Sequence, residues 1–105
     1  MTKKEEVNVD YWDNGNKKIE THFKNGKPDG LTTGWYESGK KKGETHYKNG
    51  IPEGLTTMFY ESGGKGVEGH YKNGKKEGLQ TGWYESGEKE HEIYFQEGEE
   101  TNFKK

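Results

Sequence analysis

The sequence predicts an all-β protein: a meander of about eight short antiparallel strands, arranged as tandem hairpin units of 24 residues. Three observations predict it. The chain stacks on itself in steps of 24, an aromatic residue falls at every twelfth position, and each of those aromatics is followed within four residues by glycine.

The repeat comes first, because a missed repeat misassigns the whole fold. LTTGWYESGKKKGETHYKNGIPEG begins at Leu31, LTTMFYESGGKGVEGHYKNGKKEG at Leu55 and LQTGWYESGEKEHEIYFQEGEETN at Leu79, with no insertions between them. The segment from Val7 to Gly30 is a looser copy. The expected organisation is one domain, 1–105, of units at about 7–30, 31–54, 55–78 and 79–102, the first and last serving as caps.

Each unit divides into two halves of twelve. Tyr11, Phe23, Trp35, Tyr47, Phe59, Tyr71, Trp83 and Phe95 mark the halves, and Gly15, Gly26, Gly39, Gly50, Gly63, Gly74, Gly87 and Gly98 follow them. Asn or Ser usually precedes the glycine, which signals a turn needing φ > 0. Gly63-Gly64-Lys65-Gly66 departs from the pattern and suggests a flexible or bulged turn.

Residue parity predicts how the side chains are distributed. Leu31, Thr33 and Trp35 are two apart, as are Thr45 and Tyr47, and the 24-residue step preserves parity. The expectation is one face with columns Val7-Leu31-Leu55-Leu79-Phe103, Tyr11-Trp35-Phe59-Trp83 and Phe23-Tyr47-Tyr71-Phe95. The opposite face would carry Trp12-Tyr36-Tyr60-Tyr84 and His22-His46-His70-Tyr94. Small residues such as Thr33, Thr57, Gly34 and Gly82 leave room for rings to lie across the sheet. This placement answers the composition, in which Leu, Ile, Val and Phe number only 13 of 105, a level that otherwise suggests disorder. A net charge of −2 and 14 aromatics point the other way. A buried Trp35 would cost about 3–5 kcal/mol on truncation to alanine.

The segments FKNGKPDG (23–30), YKNGIPEG (47–54) and YKNGKKEG (71–78) resemble the MORN repeat, and the WYESG and FYESG half-units resemble its bacterial variant form, some members of which are antitoxin or immunity components. The resemblance covers essentially the whole chain. It implies an elongated, twisted, single-layer antiparallel sheet with scaffold or binding roles; eukaryotic arrays of this type are associated with membrane lipids and large assemblies. Phe95-Gln96-Glu97-Gly98 and Asn102 depart from the motif, as a capping unit would.

Chemistry finds little purchase. With no cysteine, neither a disulfide nor a thiolate metal site can form. His22, His46 and His70 recur at one repeat position, and sites two strands apart lie about 10 Å from each other, too far to share a zinc ion at ~2 Å per nitrogen. Glu44 with His46 and Glu68 with His70 share a face, but no nucleophile accompanies them; Ser38, Ser62 and Ser86 are turn residues. No phosphate loop followed by a helix is present. The sequence therefore predicts no enzyme, no metal and no cofactor.

Seventeen Lys and nineteen Asp or Glu are interspersed, which argues against nucleic acid as a partner. The expected function is a non-catalytic scaffold for protein–protein interaction, with Trp12, Tyr36, Tyr60, Tyr84, His46 and His70 as the candidate partner-binding surface. A second copy is one candidate partner, face to face or edge to edge. The alternative is a peripheral module for anionic lipid, motivated by Lys40–Lys42 and Lys75-Lys76; the acidic balance weighs against it. The N-terminus MTKKEE lacks the apolar stretch of a signal peptide, so the expected location is cytoplasmic.

Overall fold

Two turn types alternate along the chain and set everything else. A computed structural model describes residues 4–101. In it, Asn25-Gly26, Asn49-Gly50 and Asn73-Gly74 each hold both residues at positive φ, 53° for asparagine and 83–84° for glycine. That is the two-residue hairpin turn whose twist matches the flanking strands; asparagine enters it more readily than other side chains. Glu97-Gly98 makes the same turn.

At the other end of the strands, Gly15 N–H donates to the Trp12 carbonyl (2.9 Å) and Trp12 N–H to that of Asn16 (2.7 Å). This three-residue loop, with its glycine at φ 94°, recurs at Tyr36–Lys40, Tyr60–Gly64 and Tyr84–Glu88. The expected bulge beside Gly63-Gly64 is present, at Gly66 between Lys65 and Val67, but it recurs in the neighbouring units and does not set this turn apart. The bonds there are 2.8 and 2.9 Å, as in the neighbouring units; the loop has its positive-φ glycine at position 63, and position 64 corresponds to Asn16, Lys40 and Glu88 in the other units.

The strands are β1 (Glu5–Tyr11), β2 (Lys17–Lys24), β3 (Lys27–Trp35), β4 (Lys41–Lys48), β5 (Ile51–Phe59), β6 (Lys65–Lys72), β7 (Lys75–Lys76), β8 (Gly78–Trp83), β9 (Lys89–Gln96) and β10 (Glu99–Thr101). All pair antiparallel with their sequence neighbours in one open sheet; β7 and β8 both lie against β6 as one line interrupted at Glu77. The layer is elongated and 13 Å thin, with extents of 50 × 38 × 13 Å. Its radius of gyration, 15.8 Å, exceeds the ~13 Å of a compact chain of this length.

The register overturns the expected columns. Leu31 lies opposite His46 and Thr33 opposite Glu44, whereas Tyr47 lies opposite Gly30 and Thr45 opposite Thr32. Leu31 and Tyr47 are thus on opposite faces. Between β3 and β4 the cause is the bulge beside the three-residue loop: Trp35 pairs with Lys41 but Gly34 with Gly43, so odd residues face even ones from there on. The two-residue turns, which pair Lys24 with Lys27 and Lys48 with Ile51, do the same between β2 and β3 and between β4 and β5. Bulges shift the pairing by one residue at Gly34/Trp35 and by two near His46, and outside the three-residue-loop ends the odd-to-even rule survives both.

One face, here the leucine face, carries Leu31, Thr33 and Trp35 of β3 beside Glu44 and His46 of β4. The other, the threonine face, carries Thr32, Thr45 and Thr56 in line across β3, β4 and β5, with Tyr47 beyond them. Phe103 and Asn102 lie outside the described residues.

No apolar side chain among the described residues is buried; the buried side chains are Thr33, Thr57 and Thr81, at 5–8 % exposure. A single layer has no second surface to close over its rings, so Trp35, Phe59 and Trp83 remain half-buried. The threonines are covered because each lies between glutamates of the two adjoining strands, Thr57 between Glu44 and Glu68.

Candidate interaction surface

Each unit is fastened to the next by an aromatic tip. The Tyr36 hydroxyl donates to the Phe59 carbonyl at 2.6 Å, Tyr60 to Trp83 at 2.5 Å, and Trp12 Nε1–H to Trp35 at 3.1 Å. Three of the six candidate surface residues thus use their polar ends inside the array and are half-buried. Tyr84 differs: it makes no such bond among the described residues, and the ring is 51 % exposed.

His46 and His70 are exposed on the leucine face. Each sits opposite a bulge, where one histidine faces three residues of the adjoining strand, Glu53–Leu55 for His46. His46 Nδ1 lies 3.2 Å from the Leu55 carbonyl. The histidine column therefore has a local structural origin. The structure does not bring these residues together with the tyrosines. His46 is five residues along β4 from Lys41, the end nearest Tyr36, about 16 Å at the usual strand rise.

What the leucine face does present is three parallel rows. Near the three-residue loops, Trp35, Phe59 and Trp83 lie opposite Lys41, Lys65 and Lys89. The Lys17 and Lys65 ammonium groups stand 5.4 and 5.8 Å from the Trp35 and Trp83 ring centres. The middle row alternates Thr33, Thr57 and Thr81 with glutamates. The third alternates Leu31, Leu55 and Leu79 with His46 and His70 and ends at Tyr94. Lysine and glutamate are tied within each strand: Lys17–Glu20 at 2.9 Å, Lys41–Glu44 at 2.7 Å, Lys65–Glu68 at 3.0 Å and Lys89–Glu92 at 2.6 Å. The hydrogen bond from Lys17 holds the Glu20 carboxyl below the usual range, helped by His22 at 3.2 Å, and the same bond raises the Lys17 ammonium.

The threonine face is different in kind. From β2 to β9 it carries a row of Phe23, Tyr47, Tyr71 and Phe95, the threonine row, and a third row running through Ile19, Gly34, Gly43, Met58 and Val67. Over those strands Lys76 is its one charged residue. Met58 lies over Gly43 and His91 over Gly82, where a Cβ would collide with the covering side chain.

Sequence reasoning assigned no role to Asp29, Glu53 and Glu77. Their carboxylates accept the backbone N–H of Asn49, Asn73 and Glu97 at 3.0, 2.8 and 3.0 Å. Each unit thereby anchors the turn of the following one. The signal was present, an acid before glycine at the same place in three units, and lacked only the register to show what it faced.

Among the described residues no cluster of His, Asp or Glu converges to hold a metal ion. The depressions are open and shallow; one, of about 430 Å³, runs along Glu6, Val7, Asn8 and Phe23 at the β1 edge. The arrangement offers surface and no enclosed site. A family profile described as MORN repeat variant matches residues 8–25, 28–49, 52–73 and 76–97. No curated protein matches the sequence significantly.

Proposed function

Because the chain belongs to the MORN repeat variant family, whose repeats are generally non-catalytic scaffolds for proteins or lipids, we propose that it is a scaffold that binds a protein partner across the leucine face. The observation carrying this reading is the regular lattice of that face, in which aromatic, carboxylate and imidazole groups recur every second strand, about 10 Å apart. His46 and His70, exposed between leucines, are the residues on which the partner rests, and Tyr84 extends the surface at its open end. Aromatic groups beside fixed polar ones are the usual anchors of protein interfaces. In its most concrete form the partner is a protein that the array occludes, as an antitoxin or immunity protein does.

The lysine pairing weighs against anionic lipid as the ligand. Lys17, Lys41, Lys65 and Lys89 are each held by a glutamate, and Lys42 and Lys76 lie over the Tyr36 and Phe95 rings. The test is affinity capture from the native organism with the wild-type chain and with a His46→Asp, His70→Asp variant whose far-UV circular dichroism is unchanged. A protein retained by the first and lost by the second is the expected result. Sedimentation with vesicles of anionic lipid, reversed by salt, together with equal capture by both chains, would overturn it.

A further inference from the structure

We infer that the threonine face is the interface between two copies of this chain, stacked face to face as a two-layer sandwich. The exposed area points to it first. The chain exposes 7493 Å², roughly 1,500 Å² more than the ~6,000 Å² of a compact 12.1 kDa monomer. A stable interface removes about 800 Å² from each partner and uses 20–30 residues a side. The threonine face supplies three residues from each of seven strand lines, β2 to β9, which meets that size.

Charge selects this face over the other possibilities. The chain is 34 % charged, yet across these strands the face has one charged residue, Lys76, engaged with the Phe95 ring at 4.9 Å. Two copies can meet over β2 to β9 without burying a carboxylate, since the acids of this face, Glu6 and Asp10 on β1 and Glu100 on β10, lie at its margins; stacking through the glutamate row of the leucine face would carry that penalty. Edge-to-edge growth is opposed by acids at both ends of the sheet, Glu5, Glu6 and Asp10 on β1 and Glu99 and Glu100 on β10.

Shape selects a second copy as the occupant. Identical sheets share the same right-handed twist, so they stack in the aligned packing about 10 Å apart. A two-fold axis along the stacking direction of the strands sets the ridge of Phe23, Tyr47, Tyr71 and Phe95 of each copy over the band of threonine and glycine of the other. Such a self-complementary contact closes at two. The leucine faces of the pair stay outward, free for the partner proposed above, so the dimer stands or falls separately from that reading.

The test is mass in solution by sedimentation equilibrium and light scattering. The wild-type chain is expected at twice 12.1 kDa. Met58→Lys, at a residue already 43 % exposed and so tolerated by the fold, is expected to give monomer at concentrations where the wild type is dimeric. Thr45→Lys, in the middle of the face, serves as the second variant. His46→Lys, one residue along on the opposite face, is expected to remain dimeric. A wild-type monomer at the highest clear concentration would overturn the proposal. So would a dimer that Met58→Lys and Thr45→Lys leave intact, or a ladder of larger species from edge pairing.

Discussion

Replacing Tyr60 by phenylalanine removes one oxygen and leaves the ring. In the structure that oxygen is the whole of a unit-to-unit bond, donating to the Trp83 carbonyl at 2.5 Å. The ring should remain seated, since it packs against the α-carbon of Gly66, where an added Cβ would come within 3.4 Å of it. A net hydrogen bond contributes about 0.5–1.5 kcal/mol, with more lost if the acceptor is left buried and unpaired. The Trp83 carbonyl ends β8 at the sheet margin, where water can replace the hydroxyl, so the expected loss is about 1 kcal/mol. For a domain of this length that is a fall of about 4–8 °C in Tm. Tyr84→Phe is the internal control, because the Tyr84 ring is 51 % exposed and its hydroxyl makes no such unit-to-unit bond among the described residues. Its expected loss is within about 0.3 kcal/mol of zero, the range of exposed substitutions away from such features. Urea titration of both variants measures the difference. Equal losses in the two, or a neutral Tyr60→Phe, would refute the idea that aromatic tips fasten the units.

The remaining predictions use the same array. Trp35→Ala should cost about 2 kcal/mol in denaturant titration, below the 3–5 kcal/mol of a fully buried tryptophan, because its ring is half-buried; a loss above 4 kcal/mol would mean a second layer covers it. Asp29→Ala should free the Asn49 amide it holds at 3.0 Å and cost about 1 kcal/mol, with faster hydrogen exchange at residues 49 and 50 as the local signature. The Glu20 carboxyl, lowered by its bond from Lys17, contributes stability above its unfolded pKa that is lost as pH falls through the folded one. For Lys17, raised by the same bond, the contribution is present below its unfolded pKa and lost as pH rises through the folded one. NMR titration should therefore show Glu20 ionising at lower pH than an ordinary glutamate, and Lys17→Met should return it to the usual range.

The strands and turns were legible because each is fixed by local chemistry. Asn49-Gly50 and Gly39 state their turns within two or three residues, and Trp35 and Tyr47 mark strands by spacing alone. The faces were not legible from parity, because parity is a property of one strand and a face is a property of the pairing. The two-residue turn decides the matter: it pairs Lys48 with Ile51, so the odd residues of β4 lie beside the even residues of β5. Taking that step from the sequence would have separated Leu55 from Tyr47 at once, and the 24-residue repeat would have carried Leu31 with Leu55. It would also have exposed a second regularity, that the glutamates at 20, 44, 68 and 92 all fall on one face and the threonines at 32, 45 and 56 on the other. That division carries the functional argument. A repeat cannot offer one unique catalytic constellation, since each unit copies the last. It can give its two faces different chemistry, and in this chain one face is charged and ordered by ion pairs while the other carries a single charge, Lys76, across seven strand lines. A charged lattice suits a hydrated, specific contact, whereas an uncharged layer of threonine, glycine and rings lacks a cover of its own. On the proposed reading the threonine face is the seam of a two-layer dimer and the leucine face its outer binding surface, so Met58→Lys should release monomer while His46→Lys leaves the dimer whole.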